Sequence, residues 1–361
     1  MRKRRRIIKR RIRNAILAWI VLILGTVMLL ALLIIGSYFI VSAIGRNKLM
    51  KAGGSHAPDL MLEQPEEEEI QWQEGWVRYN GKIYEYNDNI MTFLVMGIDK
   101  YGEVTENPDA YSGGQSDALF LVVADRNTKK LSIIGINRDT MTDVKLYNVH
   151  AEGYEQTVTA QISTQYAFGD GMEFSCELTR DAVSALFFDL PINGYVTIYL
   201  DAVPELNDAV GGVDVTVLED LTKKIPEWTE GTQVHLMGEE AFWYVKWRDI
   251  TIFESNRGRM NRQRQYLTGY VAKAKEAVKQ DITLPVTLYK KLAPYMVTDI
   301  SVDETAYLAG ELLNYRFDGE IYTLEGTTQR GEVHEEFYPD MDALRDLMIR
   351  IFYVEIDPDL Y

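Results

Sequence analysis

The chain has 361 residues, with 38 Lys and Arg against 54 Asp and Glu and a formal charge of −16. Nine of those bases lie within residues 1–13, so the remainder carries 29 bases against 54 acids, a net −25. Such an acidic surface excludes nucleic-acid binding through a general basic face, and the single cysteine, Cys176, excludes an intrachain disulfide or a Cys-rich zinc site.

The basic segment, 1–14, precedes 31 residues without a charge, Ala15 to Gly45. About 20 apolar residues cross a hydrocarbon core as a helix, so 15–45 is expected to span a membrane. The flanking bases keep the N-terminus cytoplasmic and the C-terminal region extracytoplasmic. Cleavage after Val41-Ser42-Ala43 is the alternative, but signal-peptide apolar runs are only about 7–15 residues long. Residues 46–87 read as a linker with Gly53-Gly54 and the acidic run Glu66 to Glu69. The Asn80-Gly81 pair near its end suits a hairpin. Residues 88–361 are long enough for one domain with a real core.

Thr92 to Ile98 (TFLVMGI), Ala118 to Ala124 (ALFLVVA) and Leu131 to Ile136 (LSIIGI) are apolar runs of buried strands, the last two joined as a hairpin. Thr159–Phe168 and Cys176–Phe188 have helical spacing, Tyr195–Leu200 reads as a strand, and Ala202–Val210 as a helix stopped by Gly211-Gly212. Val213–Val217 alternates as a strand, and Gly238–Trp247 and Arg259–Val278 read as helices. Beyond Thr283, helices are expected around Asp303–Asn314 and Met341–Ile351, with a short strand near Glu320–Leu324. The interleaving predicts an α/β layered fold with a mixed central sheet flanked by helices.

Three acids stand at strand ends: Asp99, Asp117 and Asp139. Two converging carboxylates would suit Mg2+, although each alone is as readily a solvated strand-end acid. Arg138 adjoins Asp139, and Lys246, Arg248, Arg257, Arg259, Arg262 and Arg264 crowd one stretch of an otherwise acidic domain. Guanidinium forks suit phosphate oxygens; a solvated, ion-paired helix is the rival reading. Acids for a metal and arginines for phosphate together suggest phosphoryl transfer. No GxSxG, HExxH, P-loop or dinucleotide fingerprint is present, and the four histidines lack ligand spacing.

FLVMGID, GQSDALFLVVAD, LSIIGINRDTMTDV, QISTQYAFGDG, YVTIYLDAVPELNDAVGGVDV, LMGEEAFWYVKWRD and RGRMNRQRQYLTGYV follow in order over 90–280. In these segments the chain resembles the LytR-CpsA-Psr family of bacterial envelope proteins. The resemblance implies a membrane-anchored phosphotransferase. It would move a glycopolymer of teichoic acid or capsular type from an undecaprenyl-pyrophosphate carrier to peptidoglycan. It further implies an apolar pocket for the polyprenyl chain, and Mg2+ on the pyrophosphate held by Asp99 and Asp117. Arg138, Lys246, Arg248, Arg259, Arg262 and Gln263 would bind the pyrophosphate, with Arg138 and Asp139 catalytic. Gln115 stands where the family carries Arg, Asn137 where it carries Pro, Lys246 where it carries Arg, and Asn256 where it carries an acid; Asp249 or Glu254 could substitute for that acid. A pyrophosphatase using water, or a non-catalytic envelope regulator or wall-binding sensor, are the alternatives.

Overall fold

The computed structural model describes residues 43–49, 51, 56–62, 72–106, 113–148, 153–249, 251–252 and 255–357. The basic segment and nearly all of the expected membrane span lie outside them. No helix among the described residues is long and apolar enough to cross a membrane.

The chain enters through a short helix, α1 (43–49). A hairpin follows, β1 (Trp76–Tyr79) and β2 (Lys82–Tyr86), turning at Asn80-Gly81 as its sequence requires. Then come β3 (Ile90–Ile98), β4 (Ser116–Asp125), β5 (Lys130–Ile136), β6 (Met141–Asn148) and β7 (Gly153–Gln161). Helix α2 (Glu173–Leu186), β8 (Gly194–Tyr199), α3 (Ala202–Ala209), β9 (Val213–Thr216), β10 (Gln233–Leu236), α4 (Glu239–Lys246) and α5 (Ser255–Gln280) follow. The C-terminal third adds α6 (Leu284–Leu292), β11 (Met296–Thr298), α7 (Val302–Leu312), β12 (Arg316–Thr323), β13 (Gly326–Arg330), β14 (Glu335–Pro339), α8 (Met341–Phe352) and β15 (Tyr353–Ile356).

The central sheet has six strands in the order β11-β8-β3-β4-β5-β12. It is mixed: β3 runs parallel to β8 and β5 to β12, while β4 opposes both β3 and β5. The apolar run of β3 is buried on both faces, which is why it lacks alternation. One face packs Leu94, Met96 and Leu121 against Val183 of α2 and Met348 of α8. The other packs Met91 and Phe93 against Ile300, Tyr307 and Tyr315. A satellite layer joins β9 and β10 to α4 through Val213, Trp228 and Tyr244.

Two local expectations change. Thr159 to Gln161 complete β7, and only Ile162–Phe168 is helical, as 3-10 turns. The hairpin β13–β14 escapes a sequence reading because its strands carry few apolar residues. Packing also begins well before residue 88. Leu49 joins the core beside Ile300 and Tyr315, and Leu60 joins the other face. A Cβ on Gly45 would lie 2.4 Å from the Asp303 carbonyl oxygen, so only glycine lets α1 lie this close to α7. Lys48 then pairs with Asp303 at 2.9 Å.

Candidate active site at one edge of the mixed sheet

Strand direction gathers the candidate residues. Since β4 opposes both neighbours, the ends of β3 and β5 and the start of β4 share one edge, with Ile98 beside Ser116 and Leu119 beside Ile136. Asp99, Asp117 and the loop Asn137 to Thr140 therefore project from the same rim, where ligands of α/β sheets gather. Asp99 is exposed and accepts the Gln115 N–H at 2.6 Å. Gly114 makes that turn: φ is +84°, and a Cβ there would lie 2.7 Å from Lys100 Cγ.

The first turns of α5 cover this rim. Asn256 and Arg259, three apart on one face, are 2 % and 3 % exposed. Arg259 donates through one terminal nitrogen to Asp117 Oδ2 at 2.8 Å and through the other to Asn256 Oδ1 at 2.9 Å. Arg138 donates to Asp117 Oδ1 and to Gln115 Oε1. Asp117 is thus held between two guanidiniums. Gln115, where the resemblance expected Arg, serves as an acceptor for Arg138.

Asp139 is buried and accepts from two side-chain amides. Gln161 Nε2 donates to Oδ1 at 2.9 Å, and Asn256 Nδ2 donates to Oδ2 at 2.7 Å. The Arg138 Nε lies 3.4 Å from Oδ1. Burial raises the Asp139 pKa above the ordinary carboxylate value, opposed by Arg138, by the Asn256 bond, and by Arg248 and Arg259. A buried carboxylate held by neutral amide donors beside cations has the environment of a tuned acid or base.

Arg248 has no ion-pair partner among the described residues, yet its charge is felt at both Asp139 and Arg259. Three guanidiniums, Arg138, Arg248 and Arg259, therefore face two carboxylates, Asp117 and Asp139.

The other expected binding residues lie outside this cluster. Arg262 is 1 % exposed, with Nε on Glu219 Oε1 at 2.8 Å and its terminal nitrogens on the Tyr244 and Trp247 carbonyls. Gln263 Nε2 donates to the Val245 carbonyl at 3.1 Å. Both residues fasten α5 to α4. Lys246 bonds the Tyr101 hydroxyl and sits 4.3 Å over its ring, tying α4 to the segment after Asp99. Asp249 is turned to Lys223 at 2.7 Å, which holds its pKa down at about 2, and Glu254 lies outside the described residues. Gln161 was not legible as a site residue, because no local motif marks a glutamine at a strand end.

Behind the rim an apolar cavity of about 460 Å3 separates the sheet from α5 to α7, lined by Val196, Val271, Leu288, Leu308 and Phe317 among others. Helix α5 serves both places. Arg259 lies at the rim and Val271, twelve residues on, at the cavity, roughly 18 Å along the axis.

The LytR_cpsA_psr family model matches residues 56–345. The chain is 28% identical over 183 residues to "Polyisoprenyl-teichoic acid--peptidoglycan teichoic acid transferase TagU" of Bacillus cereus (strain AH820), covering 51% of this chain and 52% of that protein. It is 25% identical over 276 residues to the TagV transferase of the same description from Bacillus subtilis (strain 168), covering 69% and 66%. The chain thus spans about half the length of the TagU relatives it matches. The crystal structure of B. subtilis TagV shares the fold, with a TM-score of 0.55 at 24% identity over 73% of this chain and 96% of that one.

Proposed function

This chain belongs to the LytR_cpsA_psr family, and from that premise we propose that it transfers a glycopolymer of teichoic acid type from a polyisoprenyl-pyrophosphate carrier to peptidoglycan. The observation that carries the reading is Asp117 held between Arg138 and Arg259 at the rim, beside buried Asp139. A pyrophosphate offers the oxygens those forks match, and binding it would exchange their bonds to Asp117 for bonds to phosphate. Arg248 adds a third cation. The apolar cavity suits the polyisoprenyl chain, since α5 runs from the arginines to its wall. Transferases are the named activity of the TagU and TagV relatives.

In the transfer, an acceptor sugar hydroxyl attacks the phosphorus that bears the glycopolymer. A new P–O bond forms as the bond to the bridging oxygen breaks, and polyisoprenyl monophosphate leaves. The hydroxyl proton passes to Asp139, whose pKa burial raises above that of an ordinary carboxylate. Positioned guanidiniums stabilise the charge on the phosphoryl oxygens.

Mg2+ fits the donor set at Asp99 and Asp117. Asp99 is exposed, and both groups are hard carboxylates, of which Mg2+ takes one or two beside phosphate oxygens and water. When bound it would neutralise pyrophosphate charge. Since both Asp117 oxygens hold arginines, its share in a cation site requires those arginines to have turned to phosphate.

The carrier is a lipid, so we place the domain outside the cell, held at the membrane by the uncharged run from Ala15 to Gly45. The docked α1 supports this. Its Leu49 packs with Ile300 and Tyr315, which also line the apolar cavity. A chain emerging there would leave the bilayer next to the lipid-binding face. The test is transfer of labelled glycopolymer from a polyisoprenyl-pyrophosphate donor by the full chain. Arg138→Ala should lower it by about 10²–10³, the usual cost of one oxyanion donor. Unchanged transfer would remove Arg138 from the site.

A further inference from the structure

On the transferase reading above, we propose that β13, β14 and the first turns of α5 form the groove for the acceptor glycan and present its hydroxyl to Asp139. A cavity of about 870 Å3 lies there, lined by Asn137, Arg257, Asn261, Arg264, Thr328 and Tyr338 among others. It shares a wall with the base. Asn137 Oδ1 accepts both the Asp139 backbone N–H and Asn256 Nδ2, each at 3.0 Å.

The hairpin is fastened to Asp139 at two points. The Phe337 N–H donates to the Asp139 carbonyl at 2.8 Å. Gln161 Nε2 bridges Asp139 Oδ1 and the Glu335 carbonyl, at 2.9 and 2.7 Å. The hairpin's own register, Gly326 on Pro339 to Arg330 on Glu335, is continuous. A ligand seated on β13 and β14 is therefore in fixed register with the carboxylate, which is the condition for orienting a nucleophile.

The lining selects a carbohydrate. Asn261, Thr327, Thr328 and Gln329 offer amides and hydroxyls that both donate and accept. Arg257 and Arg264 are balanced by Glu325 and Asp340, so no net charge gathers a phosphate. Tyr338 is 41 % exposed and offers an aromatic face to a sugar ring. A mainly polar lining, with Met260, Leu324, Phe337 and Pro339 among it, sets it apart from the apolar cavity behind the sheet. Sugars of the donor and of the acceptor share this chemistry. The groove meets the site at Asn137, whose Oδ1 accepts the Asp139 N–H, and Asn137 is joined to Arg259 and Asp117 through Asn256. That favours the acceptor.

The test uses the full chain in detergent with Asn261→Trp and, separately, Thr327→Trp, each checked by circular dichroism. Both residues are exposed, and a tryptophan at either position would fill the groove. Chitotetraose binding is followed by titration, and transfer is followed with a peptidoglycan tetrasaccharide acceptor. Chitotetraose affinity and acceptor KM should worsen at least about tenfold, or ~1.4 kcal/mol, with donor KM holding at the parent value. Two folded variants that bind chitotetraose as the parent does, or a rise in donor KM alone, would overturn the groove. A parent chain that binds chitotetraose but transfers to no acceptor would refute the transferase reading and leave the groove standing.

Discussion

Arg259 and Arg262 sit three residues apart on one face of α5, and both are buried, yet their surroundings differ in kind. Every guanidinium nitrogen of Arg262 meets protein: one carboxylate, Glu219, and two carbonyls at the end of α4. Arg259 meets Asp117 and Asn256, and its Nε has no partner among the described residues. Burial disfavours the charge on both, and a single carboxylate opposes that loss in each. The carboxylates differ, however. Among the described residues Glu219 pairs with no other cation, whereas Asp117 is shared with Arg138. Arg138 and Arg259 can therefore turn together from Asp117 to an incoming anion without releasing any helix junction. If Arg262 exchanged, two carbonyls and a helix junction would lose their bonds. On the proposed reading, adjacent residues of one motif divide between ligand binding and the fastening of α5 to α4.

This contrast predicts a crossed pair of phenotypes. Arg259→Ala should cut transfer by about 10²–10³ with a modest change in stability. Arg262→Ala should cost roughly 3 kcal/mol in urea unfolding, because the Tyr244 and Trp247 carbonyls lose their donor. Loss of transfer in Arg262→Ala with an unchanged unfolding midpoint would instead give Arg262 a direct role on phosphate.

The next effect sharpens the Asp139 end of the same network. Asn256 donates to Asp139, which favours the ionised form and opposes the rise caused by burial. Asn256→Asp puts a second carboxylate 2.7 Å from the first in place of a donor. One shared proton is then held to higher pH, as in carboxylate dyads. Transfer requires ionised Asp139, so the acid limb of the pH–rate profile should move up, by about one unit or more. A profile identical to that of the parent would show that Asp139 is not the titrating base.

The smallest effect concerns the scaffold side. Glu219→Gln removes the carboxylate partner of Arg262 but leaves an acceptor. With the Glu219 side chain 45% exposed, the expected loss is about 1 kcal/mol, read by thermal unfolding. A loss as large as that of Arg262→Ala would make the ion pair, and not the two carbonyls, the main fastening.

Much of this was legible from the residues alone. Apolar runs marked β3, β4 and β5, and a strand end followed by Asp or Arg-Asp marked the rim. Helix α5 was visible from its period, although its start at Ser255 was not. The partners of each guanidinium were not legible, because a helix face fixes only direction, and the reach of Arg spans several acceptors. Gln161 and the hairpin β13–β14 were missed for a related reason. Their contacts with Asp139 link residues far apart in sequence, 22 positions for Gln161 and almost two hundred for Phe337. No local pattern records such a pairing.

By itself, then, the sequence determined the mixed layered fold, the strand-end acids, the arginine-rich helix and the resemblance to its family. Periodicity and burial are properties of neighbours along the chain, so these could be read in order. Only the tertiary structure decided that Asp117 holds two arginines, that Arg262 is bonded to Glu219 and to two carbonyls at the end of α4, and that Asp139 is buried between two amides with a hairpin fastened to it. Those outcomes depend on which strand ends share an edge and which donors reach them, and they are set by the antiparallel placement of β4 between β3 and β5.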